Sequence, residues 1–291
     1  MRYGLIGTGY WAAEIHAQAL AEADDVEFVG VWGRDRAKAD AVVEARDVRA
    51  YDDPDELFAD VEAVSFAVPP DVQADLAVRA ARAGCHLLLE KPVALSTAAA
   101  GEIVDAAART GVASVVFLTS RFVPGIQRWL EDTAAESGWL GGQATVLAAL
   151  DTPGNPFGNS PWRREHGALW DVGPHMLSLL LPVLGPVEDV RAARGPGDTV
   201  HLALRHAEGA SSQLTLSLTM PEPATGQRVV FYGEGGWREL PTGLAFDATQ
   251  ALGEAIRALQ DAADTGQAHA CDVRFGTRIV EILEAAQRDL G

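Results

Sequence analysis

Cysteine, long apolar runs and positive charge are all scarce in this 291-residue sequence. Its two cysteines, Cys85 and Cys271, are too few for a disulfide framework and do not have zinc-ligand spacing. The longest apolar run, 177–184, is interrupted by Pro182 and is too short to cross a bilayer. The first residues read as a strand and a turn rather than as a signal peptide. We therefore expect a soluble, cytoplasmic protein with neither a metal site nor a membrane partner.

Basic residues number 23 against 41 acidic ones, which gives a net charge of -18. Such a surface repels phosphate backbones, so we do not expect nucleic acid as a partner. An anionic cofactor remains compatible, because N–H groups at a helix start bind anions locally. Lysine is especially scarce, with Lys38 and Lys91 against 21 arginines. Each lysine is of interest, since lysine can release a proton where arginine cannot.

The first 120 residues alternate between short apolar runs and segments of helical periodicity. Ser96 is a suitable N-cap for one of the predicted helices. Strands that alternate with helices form parallel sheets, so we predict a doubly wound, Rossmann-type α/β domain over 1–120. The predicted strands are 3–6, 26–32, 63–68, 86–90 and 113–118.

After residue 120 the pattern changes to alternating polar and apolar runs that predict an antiparallel sheet. We expect a second α/β domain over 121–291. Its predicted elements are a strand at 143–150, an irregular stretch at 151–166, a helix up to about residue 184, strands at 200–204, 213–220 and 228–232, and helices at 247–263 and 272–290.

One predicted strand of the second domain has two contrasting faces. One face is apolar, while the other carries the polar, uncharged side chains Gln213, Thr215, Ser217 and Thr219. A face of this kind is either solvated or covered by another subunit. The absence of charge favours the second alternative, so we expect a homodimer or homotetramer formed through this sheet.

The motif Gly7-Thr8-Gly9-Tyr10-Trp11-Ala12 directly follows the first predicted strand and opens a helix. Gly7 permits a tight turn, Gly9 lets the backbone approach a pyrophosphate, and the small Ala12 allows the helix to pack closely on the strand. The helix start adds N–H donors and partial positive charge. The motif and its context predict dinucleotide binding rather than a purely structural turn.

The end of the second predicted strand distinguishes NADP from NAD. An acidic residue there binds the ribose 2′-hydroxyl of NAD and repels the 2′-phosphate of NADP. Gly33 takes that position and Arg34 follows it, so Arg34 is placed to hold a 2′-phosphate. The alternative is NAD with Asp35 on the ribose; we favour NADP. Val68 and Pro69, at the end of the third strand, are expected to line the same cofactor site.

Two further groups of residues carry chemistry. Glu90-Lys91-Pro92 ends a predicted parallel strand, and ligands bind beyond the carboxyl ends of such strands. Lys91 is therefore expected where substrate meets cofactor. A helix that starts near Asp171 would place Asp171 and His175 on one side, as a carboxylate and imidazole suited to proton transfer. The structural alternative is a capping Asp and a packed His.

Together and in this order, these motifs resemble the Gfo/Idh/MocA family of NAD(P)-dependent sugar and polyol oxidoreductases. The resemblance covers essentially the whole chain, with 120–124 and Trp162-Arg163 as further landmarks. It implies a Rossmann domain followed by an α/β domain with a large, mostly antiparallel sheet that commonly forms the oligomer interface. It also implies that the Lys91–Pro92 bond is cis.

The resemblance further implies hydride transfer between NADP or NAD and a sugar, polyol or related alcohol or carbonyl. Lys91, Asp171 and His175 would be the catalytic group, with His175 as general acid/base and Lys91 on the reacting oxygen. Glu90 would help to position the nicotinamide ribose. Candidate substrate contacts are Arg121, Trp162 and Arg163.

Two positions depart from the family pattern. Ser178 stands three residues after His175, where Asp or Asn is frequent, and Gln73 lies near a position where a His commonly begins a helix. Both concern the substrate, whose identity stays open. Some relatives cleave glycosides without net redox change and others bind dinucleotides as sensors, and these are the alternatives. The intact catalytic group favours an enzyme, because a sensor has no need for acid/base residues.

Overall fold

The computed structural model of the protein describes residues 1–150 and 161–291. The chain forms two compact units. The first contains Met1–Val123 and Phe246–Val280, and the second contains Pro124–Ala245 and Glu281–Gly291. This division differs from the predicted one, 1–120 and 121–291, because a late segment of the chain returns to the first unit.

Six parallel strands form the sheet of the first unit. They are β1 (Arg2–Ile6), β2 (Glu27–Trp32), β3 (Arg49–Tyr51), β4 (Ala63–Phe66), β5 (His86–Glu90) and β6 (Ser114–Phe117). Their order is β3-β2-β1-β4-β5-β6, so the winding direction changes beside β1. In sheets of this topology, ligands bind at the carboxyl ends of the strands near the change.

Ten α-helices complete the described chain, with a π-helical turn at Ala12–His16 and short 3₁₀ turns at Thr119–Phe122 and Glu222–Ala224. They are α1 (Ala17–Glu22), α2 (Arg36–Glu44), α3 (Pro54–Asp60), α4 (Pro70–Arg82), α5 (Thr97–Thr110), α6 (Pro124–Ala135), α7 (Pro161–Asp171), α8 (Gly173–Leu184), α9 (Ala248–Thr265) and α10 (Val273–Leu290).

Two strands of the first sheet, β4 and β6, are buried along their whole length. All four residues of β4 and all four of β6 are buried, as expected of parallel strands covered on both faces. The predicted Rossmann sheet is confirmed. So is Ser96 as N-cap of α5, where its Oγ accepts from the N–H of Ala99 at 3.2 Å. The sequence did not predict β3 and α3, whose three and seven residues are too short for a clear period.

The edge strand β6 is covered by residues from far along the chain. The N–H of Val116 donates to the carbonyl of Cys271 at 2.7 Å, and the N–H of Val273 donates to Ser114 Oγ at 3.0 Å. Helix α9 also packs on β5 and β6. These contacts are the physical reason why Phe246–Val280 belongs to the first unit and not to the second, where the sequence placed it.

The second unit contains a mixed sheet of six strands, ordered β12-β11-β7-β10-β9-β8. They are β7 (Trp139–Leu147), β8 (Val187–Arg194), β9 (Val200–His206), β10 (Ser211–Ser217), β11 (Gly226–Gly233) and β12 (Gly236–Glu239). β7 and β10 run parallel, and all other neighbours are antiparallel. The expected large, mostly antiparallel sheet is confirmed.

One face of this second sheet is covered and the other is open. Residues of β9 alternate strictly between buried and exposed, and α8 packs on β7 and β10. On β10, Leu214 and Leu216 are buried while Gln213 is exposed. The uncharged row is shorter than predicted, because Ser217 is fully buried and its hydroxyl donates to Asp198 at 2.6 Å.

Helices α7 and α8 precede β8. The sequence predicted irregular backbone up to residue 166, but the chain is helical from Pro161; residues 151–160 lie outside the described ones. Gly167, with φ of +64°, interrupts α7. The segment Trp162–Leu184 contains a window long and apolar enough to cross a membrane by composition, but 67% of it is buried inside the protein, as in a core helix.

Candidate active site

The turn after β1 contains two glycines, Gly7 and Gly9, and the reason for glycine differs between the two positions. Gly7 has a φ of +134°, and a Cβ there would lie 2.9 Å from the carbonyl carbon of Ala67, so the fold requires glycine. Gly9 has no protein atom within 4 Å of the corresponding point. Packing within the protein therefore does not require glycine at this position, whereas close approach of a pyrophosphate does. Ala12 is fully buried, as predicted for close helix packing.

A π-helical turn, Ala12–His16, follows these glycines and continues into α1. Its characteristic hydrogen bond runs from the N–H of Ala17 to the carbonyl of Ala12. The sequence predicted only that this motif opens a helix, and the structure adds the π-helical turn. Such turns are rare and frequently occur at functional sites.

Glu90, at the end of β5, is held at both carboxylate oxygens. Its Oε1 accepts from Trp11 Nε1 at 2.7 Å and lies 3.1 Å from His16 Nε2, while its Oε2 accepts from the N–H of Lys91 at 3.1 Å. His16 is fully buried, with its Nδ1 2.8 Å from the hydroxyl of Ser65. The structure thus brings together three predicted site residues and adds His16, which the sequence did not reveal.

Gln73 fixes the backbone of the same turn. Its amide oxygen accepts from the N–H of Glu90 at 2.8 Å, and its amide nitrogen donates to the carbonyl of Glu90 at 2.8 Å. The carbonyls of Pro92 and Val93 lie 3.3 and 3.2 Å from that nitrogen. The Lys91–Pro92 bond is cis, as the resemblance implied. Gln73 is completely buried, so this departure from the family pattern acts on the turn that carries Lys91.

The loop after β2 exposes a cation beside the glycine turn. Arg34 is exposed, whereas Asp35 is the N-cap of α2 and accepts from the N–H of Lys38 at 3.3 Å. A Cβ on Gly33 would lie 2.9 Å from Oγ1 of Thr8, so a side chain at this position would displace Thr8. The loop therefore presents a guanidinium, while its carboxylate caps a helix.

In the second unit, Asp171 is 4% exposed and forms an ion pair with Arg163, with 2.8 Å between Oδ2 and Nε. Asp171 is the last residue of α7, and α8 begins at Gly173. A break of one residue, Val172, therefore separates Asp171 from the helix that carries His175. Pro174 explains the new start, because its missing N–H is tolerated in a first helical turn.

His175 lies partly exposed in the first turn of α8. Its carbonyl accepts from the hydroxyl of Ser178 at 2.7 Å, and Ser178 is fully buried. The second departure from the family pattern thus stabilises the start of the helix that carries His175. Trp162 is partly exposed, and its ring centroid lies 5.5 Å from that of His166.

The remaining predicted residues follow strands β4 and β6 of the first unit. Val68 and Pro69 come after β4, and Pro69 is exposed. Arg121 lies in the turn after β6, with its guanidinium 5.7 Å from the centre of the Phe275 ring. Burial, with the charge of Arg121, lowers the pKa of His269 below its ordinary value. All of these residues follow strand ends at the same carboxyl edge as Lys91 or pack beside them.

Sequence reasoning missed His16, although a signal was present. Ala12, His16 and Leu20 recur every four residues and are all buried. A histidine in such a buried stripe needs a polar partner, which the fold supplies from β4 and β5. In the described part of the chain, no group of three or more His, Cys, Asp or Glu side chains is arranged to hold a metal ion.

Two family models match this arrangement. GFO_IDH_MocA, an oxidoreductase family with an NAD-binding Rossmann fold, matches residues 1–118, and the GFO/IDH/MocA C-terminal domain matches residues 132–239. The chain belongs to the Gfo/Idh/MocA family. It is accordingly an oxidoreductase with an NAD-binding Rossmann domain, and the resemblance found in the sequence is confirmed.

Individual members of the Gfo/Idh/MocA family agree with this assignment. An uncharacterized oxidoreductase of Synechocystis sp., sll0816, is 30% identical over 256 residues, which are 81% of this chain and 68% of that protein. UDP-N-acetylglucosamine 3-dehydrogenase of Acidithiobacillus ferrooxidans is 28% identical over 235 residues, 79% and 71% of the two chains. The fold is shared with the WlbA dehydrogenase from Bordetella pertussis, crystallised with NADH and UDP-GlcNAcA, at 22% identity and a TM-score of 0.83 over 99% of this chain and 95% of that one.

Proposed function

We propose that the protein transfers a hydride between NADP(H) and a CH–OH carbon of a sugar, polyol or related substrate. This proposal rests on the hydrogen bonds to the two carboxylate oxygens of Glu90. They connect Trp11 of the glycine turn to the backbone N–H of Lys91. A lysine fixed beside a dinucleotide-binding turn is placed to hydrogen-bond a reacting oxygen and to stabilise its negative charge. The 3-dehydrogenase named above supports a sugar as the substrate class.

The residues present fit a dinucleotide. Gly7 and Gly9 bring the backbone of the turn to the start of a helix, where N–H groups favour the pyrophosphate. The nicotinamide supplies or accepts the hydride when bound. Glu90 would position the nicotinamide ribose, and Val68 and Pro69 would border the same site after β4.

The loop after β2 supports NADP as the preferred cofactor. Arg34 is exposed next to Gly33, where a guanidinium suits a 2′-phosphate. Asp35 is engaged at the N-terminus of α2, which argues against its use on the ribose of NAD. The relative crystallised with NADH marks NAD as the alternative.

Titration of the protein with NADPH and NADH tests this preference. We expect Arg34→Asp to weaken NADPH binding by about tenfold or more, since it replaces an attractive charge by a repulsive one. NADH affinity should change by less than about threefold. Arg128→Asp, the same charge change on the exposed side of α6, is the matched control. Equal losses for both cofactors would contradict the assignment of Arg34.

Three side chains would perform the acid/base chemistry. His175 would take the proton from the substrate hydroxyl or return it to the carbonyl, and Lys91 would hydrogen-bond the same oxygen. Asp171, buried and paired with Arg163, would orient them. Arg121 and Trp162 would contact substrate hydroxyls or a sugar face.

The open face of the second sheet supports association with a second copy of this chain. Thr145, Thr215 and His201 are in register across β7, β10 and β9, and Gln143, Gln213 and Ala203 form the next row. Across β7, β10 and β9 these positions carry no Asp, Glu, Lys or Arg, and the rows meet Arg228 on β11 and Arg191 on β8 at their ends. A homodimer or homotetramer would cover this face.

A screen of sugars, inositols and UDP-sugars with NADP⁺, monitored by nicotinamide absorbance, tests the function. We expect turnover with at least one sugar class and its loss in His175→Ala. Cofactor binding without turnover of any of them would support a sensor. Product formation with no net absorbance change would indicate a glycosidase, and either outcome would overturn the proposal.

A further inference from the structure

The buried contacts of His16 define its hydrogen-bonding state. Its Nε2 faces Oε1 of Glu90 at 3.1 Å, and its Nδ1 faces the hydroxyl of Ser65 at 2.8 Å. An ionised carboxylate only accepts hydrogen bonds, so Nε2 must carry a hydrogen. In the neutral ring Nδ1 then accepts from the Ser65 hydroxyl. Both His16 and Ser65 are 0% exposed, so neither contacts substrate or cofactor directly.

The π-helical turn explains how two distant side chains reach one oxygen. Trp11 and His16 are five residues apart, and in a regular α-helix such residues point about 140° away from each other. The hydrogen bond from Ala17 to Ala12 widens the turn by one residue. Trp11 Nε1 and His16 Nε2 consequently both meet Oε1 of Glu90, at 2.7 and 3.1 Å.

The second carboxylate oxygen of Glu90, Oε2, contacts the turn that contains Lys91. Oε2 of Glu90 accepts from the backbone N–H of Lys91 at 3.1 Å, while Gln73 holds the N–H and carbonyl of Glu90. The two hydrogen bonds to Oε1 therefore fix the plane of the Glu90 carboxylate. The same carboxylate orients the peptide N–H of Lys91, the first residue after β5. His16 is the fully buried one of the two donors to Oε1, whereas the indole of Trp11 is partly exposed.

We propose that His16 is a positioning residue of the redox site. By holding the Glu90 carboxylate, His16 sets the direction of the backbone at Lys91 relative to the glycine turn. The π-helical turn brings the His16 ring within hydrogen-bond distance of Glu90. The expected effect of His16 on turnover rests on the proposed function. The expected effect of His16 on the position of Lys91 does not.

The two lysines of the chain allow a test that needs no substrate. Reductive ¹³C-methylation labels Lys38, Lys91 and the N-terminal amine of Met1, and Lys38→Arg and Lys91→Arg assign the two lysine resonances. In His16→Leu we expect the Lys91 resonance to shift toward that of exposed Lys38, and the Lys38 resonance to stay in place. His16→Gln, which returns a donor to Glu90, should restore most of the Lys91 shift. An unchanged Lys91 resonance in folded His16→Leu would overturn the proposal.

A matched control separates positioning from general packing. His206 is also 0% exposed, with one ring nitrogen 2.8 Å from a serine hydroxyl and the other 2.8 Å from a backbone carbonyl. His206→Leu should lower the Tm comparably and leave the Lys91 resonance unchanged. If it moved that resonance as much as His16→Leu, the effect would be general loosening and the proposal would fail.

Turnover supplies the second readout. With a verified substrate, His16→Leu should lower kcat by about 10- to 100-fold, since small misplacements of catalytic groups are costly, while NADPH affinity changes less than about threefold. If His16→Leu does not fold, Trp11→Phe removes the other donor to Oε1 and should also move the Lys91 resonance. A shift of Lys91 without turnover of any substrate would refute the proposed function and retain the positioning role.

Discussion

The two sheets of the protein differ in which residues are exposed to solvent: residues at one edge in the first sheet, and one whole face in the second. In the first unit β4 and β6 are buried along all their residues, whereas Gly9 and Pro69, which follow β1 and β4 at the carboxyl edge, are exposed. In the second unit β9 alternates between buried and exposed residues, so a whole face is accessible. A sheet covered on both faces offers a few convergent groups for chemistry, whereas a sheet covered on one face offers area for association.

The largest loss of activity is expected from a change at the carboxyl edge of the first sheet. Lys91→Ala should lower kcat/KM by about 10²- to 10⁴-fold, because it removes the group that stabilises charge on the reacting oxygen. NADPH affinity should change by less than about threefold. Lys38→Ala, at the exposed second lysine, is the control and should retain wild-type turnover. A Lys91→Ala enzyme with wild-type rates would remove the edge from the mechanism.

The face of the second sheet should respond in the opposite way. Thr215→Glu places a charge between Thr145 and His201, and in a dimer the two copies bring like charges together. We expect association to weaken by about 100-fold, measured by light scattering over a concentration series. Gln267→Glu, at an exposed site of the first unit, should leave assembly unchanged. An unaltered mass for Thr215→Glu would exclude this face as the interface.

The ion pair between Arg163 and Asp171 tests how the second unit contributes to the chemistry. Arg163→Met should lower kcat by about tenfold with a smaller rise in KM, since it leaves the buried Asp171 carboxylate without this partner. Arg163→Lys should recover part of the loss. A rise in KM at constant kcat would instead make Arg163 the substrate contact that the sequence suggested. Arg257→Met, which breaks the exposed pair with Glu254, is the control.

The smallest effect concerns acid stability. Burial lowers the pKa of His206, so the folded protein holds fewer protons than the unfolded chain below about pH 6.5. Stability from the neutral ring is complete above that pH and declines as the pH falls. In His206→Gln, the drop in Tm between pH 7.5 and 5.5 should be about 2–4 °C smaller than in the wild type. Gln213→Asn, which changes an exposed, non-titrating side chain on the same sheet, should keep the wild-type slope.

Much of the first unit was predictable, because its strands are apolar runs and its turn requires glycine at Gly7. The cis bond at Lys91–Pro92 followed from the family resemblance. His16 shares a buried stripe with Ala12 and Leu20, but its partner Glu90 lies 74 residues away in the sequence, so the pattern could not show what His16 contacts. The return of Phe246–Val280 to the first unit depends on backbone hydrogen bonds to β6, which side-chain patterns do not encode.

The hydrogen bonds between β6 and the segment around Cys271 have a consequence for synthesis on the ribosome. Strand β6 is complete when residue 117 has been made, but the carbonyl that takes up the N–H of Val116 belongs to Cys271. For more than half of translation the nascent first unit therefore has an open strand edge, the kind of edge that pairs with other chains and promotes aggregation. The closing segment is made only after Pro124–Ala245, the larger part of the second unit, so the dinucleotide-binding unit cannot be completed before that part has left the ribosome.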